Sequence, residues 1–221
     1  MTDQGDPGSV PKAGTTVSPQ TARFQIAART RQAHEALHHH PLIGRLLADD
    51  LSVPEYRRIL CVFRDVFVAA ENCRSASGAF DDFSLRRQCK ALLQDAPSAS
   101  QDMSDDLFYF GTDHEVLGML YTLHGAQFGG AVIRQHLKQT LPMAPMAYYG
   151  LKPDPQNWKS LVVELDQSCK QKGALDCIST GARQTFELID AVASAANAAG
   201  IGASQHNTTL AVGGQPTNGG L

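Results

Sequence analysis

Two stretches of this 221-residue chain carry residue types whose spacing could do chemistry. The first is His34-Glu35-Ala36-Leu37-His38, followed directly by His39 and His40. Histidines four apart share one helix face, and with the intervening glutamate they have a spacing that grips zinc and activates water. His34 alone, held on an apolar stripe with Ala27, Thr30 and Leu37, could instead ligate a metal as a neutral imidazole, or simply sit satisfied at the core boundary. The second stretch runs from Leu117 to Leu137, where Gly118, Gly125, Gly129 and Gly130 interrupt an otherwise well-patterned helix. Each glycine costs roughly 1 kcal/mol relative to alanine, so the three central ones oppose the helix by about 3 kcal/mol. Gly125 and Gly129 share a face and Gly130 adjoins it. A bare backbone there admits either a closely packed second helix or a flat ligand, and it makes local bending cheap.

The elements that must position these stretches all read as helix. The first covers about Ala22 to His40, with Phe24, Ala27, Ala33, His34 and Leu37 along one side. Ser52-Val53-Pro54-Glu55 is a capping box with proline in the first turn, and it opens a second helix. That helix carries the stripe Tyr56, Ile59, Leu60, Phe63, Val66, Phe67 and Ala70, the spacing of one buried face. A shorter helix is expected over about Ser84 to Gln94. Thr112-Asp113-His114-Glu115 is another capping box, opening the glycine-bearing helix, which should continue to about Lys138. Further helices begin near Pro155, with Gly173 as C-cap, and over the stretch carrying Ile178, Ala182, Phe186 and Ile189. No segment alternates with period two. The fold class is therefore all-α, in one domain over residues 21–199, flanked by disordered tails at 1–20 and 200–221 that are rich in small and polar residues.

Composition excludes several function classes. The formal net charge is -3 and there is no basic run, so neither nucleic acid nor an anionic membrane is an expected partner. Apolar stretches are broken by charge or glycine short of the ~20 residues a span needs, and the first residues have no apolar core of a secretory signal. The five cysteines are odd in number with no C-x-x-C pair, which suggests neither a disulfide framework nor a thiolate metal site. A reduced, cytoplasmic setting is expected.

Four segments resemble the bacterial haem oxygenases in order and spacing. Tyr121–Ile133 (YTLHGAQFGGAVI) looks like the distal helix of that family, and Thr30–Glu35 (TRQAHE) like its proximal helix. Ala147–Leu161 (AYYGLKPDPQNWKSL) is similar to the aromatic-Gly-to-Trp segment, and Gly181–Phe186 (GARQTF) to the final helix. The resemblance spans about Thr21 to Val192. It implies a multi-helical bundle with haem b sandwiched between a proximal and a glycine-rich distal helix. His34 is then the axial ligand of the haem iron, and Gly125, Gly129 and Gly130 form the catalytic backbone face. Arg31 and Lys159 match basic positions that hold propionates, and Thr30 and Phe128 complete the cofactor-binding set. Met119 and Phe186 are further pocket-lining candidates. The implied reaction converts haem, both substrate and cofactor, to biliverdin, CO and ferrous iron, using O2 and electrons from a reductase or ferredoxin. A bacteriophytochrome is one implied acceptor of the biliverdin.

This chain departs from the pattern at two places. His38 stands where the family often has a carboxylate one turn after the ligand, a partner that tunes ligand basicity. Ala126 stands where many members have an aspartate, leaving His124 and Gln127 as candidates for proton delivery by position. Two other readings follow: a non-catalytic haem-binding sensor or carrier on the same fold, and a zinc hydrolase using His34, Glu35 and His38 with Glu55 or Glu71 as a third ligand. Pro41 stands where the zinc motif of one protease group would need glycine.

Overall fold

The structure, a computed structural model, describes residues 21–97 and 108–212, with side chains described as far as residue 200. Among the described residues seven α-helices follow one another: α1 (Ala22–His39), α2 (Val53–Ser77), α3 (Arg86–Asp95), α4 (Asp113–Gly125), α5 (Gly130–Thr140), α6 (Pro155–Ser168) and α7 (Ala174–Val212). Three short 3-10 turns lie between them, at Ile43–Leu47, Asp81–Phe83 and Ala126–Gly129. Among the described residues there is no strand, as the lack of period-two patterning predicts. The expected N-terminal tail, 1–20, lies outside the described residues, as does the end of the C-terminal one. Helix α7 runs on to Val212, past the boundary expected at residue 199.

Both capping boxes form. The Ser52 hydroxyl accepts from the Glu55 N–H while the Glu55 carboxylate accepts from the Ser52 N–H, and Thr112 and Glu115 do the same for α4. Each pair satisfies two N–H groups that a helix start otherwise leaves unpaired. Helix α2 buries Tyr56, Ile59, Leu60, Val66, Phe67 and Ala70 of the stripe read from its spacing, while Phe63 is half-buried. Glycine at Gly78, in the left-handed region at φ 68°, ends it.

The centre of the molecule is the crossing of α4 and α7. A Cβ added at Gly118 would lie 2.0 Å from the Ile178 carbonyl oxygen, and one at Gly181 would lie 2.0 Å from the Glu115 carbonyl oxygen. Only hydrogen fits on either side, so the two backbones touch. Thr122 donates to the Gly118 carbonyl at 3.2 Å and lies within 3.4 Å of the Ala182 carbonyl, tying the same crossing. Helix α1 also packs along α7 and on α6, and the Ile43–Leu47 turn contacts both α1 and α5.

Two buried charged groups inside this core are well paired. Arg74, 1% exposed, donates to both oxygens of Glu71, which also accepts from the Leu85 N–H. Asp95 accepts from the Ala147 and Tyr148 N–H groups at 2.9 and 2.8 Å, pinning the loop that carries Tyr148 and Tyr149. Asp95→Ala would strand both donors, one of them in a buried bond, and is expected to lower stability by about 1–3 kcal/mol in urea unfolding.

A histidine at a helix C-terminus is ordinarily solvated, but His40 is buried: its Nδ1 accepts from the Leu42 and Ile43 N–H groups, and its Nε2 lies 3.0 Å from the Ser194 hydroxyl. The imidazole caps the turn after α1 and ties it to α7, a role that spacing alone does not reveal.

Candidate functional site

The glycine-bearing stretch is not one continuous helix. It is α4, then a 3-10 turn over Ala126–Gly129, then α5. The expected helix from Thr112 to about Lys138 is thus broken where the glycines cluster. Bending there is cheap because no side chain opposes it, and tightened turns inside helices often mark functional positions.

Internal packing accounts for one glycine of the four. Gly118 faces the backbone of α7. At Gly125 an added Cβ would meet only the Trp158 ring, at 3.7 Å, and at Gly130 only the Tyr149 ring, at 3.9 Å. At Gly129 it would meet nothing within 4 Å. So the bare sides of Gly125 and Gly130 are met only by rings at ordinary contact distance, Gly129 is open, and the fold itself does not require glycine at these three positions. Just beyond it α5 buries only Leu137, while Val132 is 64% exposed. An apolar, side-chain-poor wall is left facing solvent.

His34 stands exposed on α1, with its ring edge-on to Phe186 of α7 at 5.6 Å and to His38 at 4.7 Å. No hydrogen bond engages it among the described residues. Partial burial lowers its pKa from the usual 6.5, and the neighbouring His38 lowers it further, against a smaller opposite pull from Glu35. The neutral imidazole, the form that binds metals, therefore dominates at neutral pH. If His34 ligates a metal, affinity should hold through neutral pH and fall only below pH 6.5, where protonation competes; a pH titration of binding checks this.

The remaining candidates divide. Arg31 and Lys159 are exposed and make no ion pair among the described residues, so both are free to meet an anion. Thr30 is not: it is buried and its hydroxyl donates to the Ile26 carbonyl at 2.9 Å, which corrects its expected place among the ligand-binding residues. Phe128 lies edge-on to Trp158 at 5.1 Å, on the wall of a separate cavity. Met119 is fully buried core. Phe186, by contrast, is the aromatic wall beside His34. Sequence reasoning missed Tyr121 and Trp158, stacked at 5.7 Å beneath Gly125, and Tyr149 opposite Gly130. Their only signal was lying within two of the four resembling segments.

Comparison with known proteins gives a fold. The chain superimposes on haem oxygenase-1 of the cyanobacterium Synechocystis, in complex with haem, with a TM-score of 0.64 at 12% identity. That match covers 87% of this chain and 99% of the other. The haem oxygenase of Leptospira interrogans matches with a TM-score of 0.59 at 16% identity, over 79% and 99% of the two chains. The fold is the haem oxygenase fold. No protein-family description and no curated protein matches the sequence.

His34 lies on α1, and Gly125, Gly129 and Gly130 lie at the α4–α5 break. The zinc reading finds no third ligand. Among the described residues no third histidine, cysteine or carboxylate joins His34 and His38. Glu55 is held by Ser52 and Arg45, and Glu71 by Arg74. One run, Asp113–Thr140, reaches the length and mean hydropathy (1.2) of a membrane span, longer than the sequence reading allowed. Its apolarity has a local cause: the α4 half packs on α7, and the α5 half forms the exposed wall.

Proposed function

We propose that this chain is a haem oxygenase, opening haem to biliverdin, CO and ferrous iron with O2 and electrons from a reductase or ferredoxin. One observation carries the reading: Gly125, Gly129 and Gly130 interrupt a helix at a cost of about 3 kcal/mol, yet only side-chain rings, and at Gly129 nothing, lie within 4 Å of their missing Cβ atoms. A flat ligand against that face supplies the missing reason. The fold of the haem-bound Synechocystis protein supports it, as do the four resembling segments.

The residues present fit haem. His34 offers a neutral imidazole with no competing hydrogen bond, Phe186 an apolar edge beside it, and Arg31 and Lys159 unpaired cations for propionates. Haem, when bound, supplies the iron that activates O2 and the ring that is oxidised. The protein's own part is positional. His34 would hold the iron through its neutral imidazole, and Gly125, Gly129 and Gly130 would offer the haem a stretch of backbone without side chains. The Trp158 ring, stacked on Tyr121, and the Tyr149 ring lie where the Cβ atoms of Gly125 and Gly130 would point and support the segment there, leaving Gly129 open.

Proton handling differs from the family pattern. Ala126 offers no proton. His124 is directed away, its Nε2 2.9 Å from the Phe83 carbonyl, and burial lowers its pKa. This favours, as a second reading, a haem-binding sensor or carrier that does not turn over. An absorbance time course separates the two, using haem-reconstituted protein, reductant, air, and catalase to remove free peroxide. Decay of the Soret band with growth of a biliverdin band is expected. A stable Soret band would establish the carrier instead, and no haem spectrum would remove both. Gly129→Leu is expected to retain haem while cutting biliverdin yield at least about tenfold, roughly 1.4 kcal/mol in the barrier; full yield would refute the role of the bare face.

A further inference from the structure

The Asp81–Phe83 turn is tied at each of its three residues to a different helix. The Asp81 carboxylate accepts from Nη1 of Arg74 on α2 at 2.7 Å. The Asp82 carbonyl accepts from Nδ2 of Asn157 on α6 at 3.2 Å, and the Phe83 carbonyl from Nε2 of His124 on α4 at 2.9 Å. Arg74 is itself held by both oxygens of Glu71, and the Phe83 ring is buried. Opening this turn would break contacts to three helices at once, so it is a fixed post in the fold.

His124 directly precedes Gly125 and is bound to that post. A carbonyl oxygen can only accept, so the ring hydrogen lies on Nε2 and the imidazole is spent as a donor. Burial lowers its pKa, which keeps the ring neutral at neutral pH. The segment that follows has little of its own to hold it. Three of the six residues from Gly125 to Gly130 are glycine, the residue with the widest choice of backbone conformation. The Ala126 N–H is shared between the Thr122 and His124 carbonyls, so the helix begins to tighten where it is pinned. The Trp158 and Tyr149 rings lie at ordinary contact distance from where the Cβ atoms of Gly125 and Gly130 would stand, and such contacts have no direction. A hydrogen bond has one. It fixes the last turn of α4, beyond the Gly118 crossing, and with it the way the bare backbone faces.

We propose that His124 is a positioning residue, pinning the start of the Ala126–Gly129 turn to the Asp81–Phe83 post and so setting where the glycine backbone stands against haem. The pinning is a property of the chain alone. Only its effect on haem rests on the haem oxygenase reading.

Hydrogen exchange of the haem-free full-length chain, followed by mass spectrometry, tests the pinning without haem. In His124→Leu the amides over 125–131 should exchange at least about tenfold faster, while those of α1 are unchanged. His124→Gln, whose Nε2 has nearly the same reach, should restore protection. Exchange that is unaltered in His124→Leu, equally fast in both variants, or faster throughout the chain overturns the proposal. The lost donor leaves the Phe83 carbonyl unmet, so His124→Leu could fail to fold by circular dichroism. Asn157→Ala then serves instead: it cuts another tie to the post and should speed the same amides, and unchanged exchange there overturns the proposal as well. With haem bound, His124→Leu is expected to keep haem affinity within about threefold and to cut the rate of biliverdin formation at least about tenfold, again restored in His124→Gln. An unaltered rate in a variant whose turn has loosened would overturn the bearing on haem. If the wild-type protein forms no biliverdin, the haem oxygenase reading fails, and the exchange result still decides the pinning.

Discussion

Replacing His34 with alanine is expected to weaken haem binding about 100-fold or more and to abolish the spectrum of histidine-ligated iron. The imidazole sits on the exposed side of α1, neutral, flanked by Phe186 and His38, with no hydrogen bond to hold its lone pair elsewhere. Loss of an axial ligand removes an iron–nitrogen bond that apolar contacts and propionate pairing do not replace, and 100-fold corresponds to about 2.7 kcal/mol. His38 is the one group placed to substitute, its ring 4.7 Å away on the next turn. The experiment therefore needs three variants: His34→Ala, His38→Ala and the double. If His34 is the ligand, His38→Ala keeps the spectrum and the other two lose it. A His34→Ala protein with an unchanged spectrum would move the ligand to another residue. Stability should change little in any of them, since neither ring is buried in the core, and thermal unfolding checks that the loss is one of binding.

Much of this architecture was legible because local rules and tertiary packing agree. Ser52 with Glu55 and Thr112 with Glu115 are capping boxes in sequence and in space, and the α2 stripe from Tyr56 to Ala70 is buried as its spacing requires. Local patterning is silent where one residue type serves two purposes. The four glycines of the Leu117–Leu137 stretch look alike in sequence, yet Gly118 is there for helix packing and Gly129 is not. Which is which depends on α7, some 60 residues on, and on Gly181 within it. The same limit hid His40. A histidine at a helix C-terminus reads as a solvated cation, but the turn folds its N–H groups onto Nδ1 and α7 brings Ser194 to the other nitrogen. Thr30 failed in the opposite direction: it resembles a ligand-side residue in sequence, while its hydroxyl is spent on its own helix.

That division between the glycines sets the second large effect. Gly118→Ala is expected to destabilise the fold by about 4 kcal/mol, above the usual range for over-packing. The added carbon would stand 2.0 Å from the Ile178 carbonyl oxygen and 2.7 Å from the Ala182 backbone nitrogen. Both are backbone atoms of a long helix and cannot turn aside as a side chain could. The helices must separate, and separation opens space among Leu117, Ile178 and Ala182, all fully buried. Gly181→Ala should do the same from the other side, against the Glu115 backbone. The two together should cost less than their sum, because one displacement relieves both. Gly129→Ala should be neutral or stabilising by up to about 1 kcal/mol, having open space around it and a lower backbone entropy cost. Urea unfolding of the four variants measures all of this. Equal losses at Gly118 and Gly129 would mean that Gly129 too is packed against the fold, and the bare face would then need no ligand to explain it.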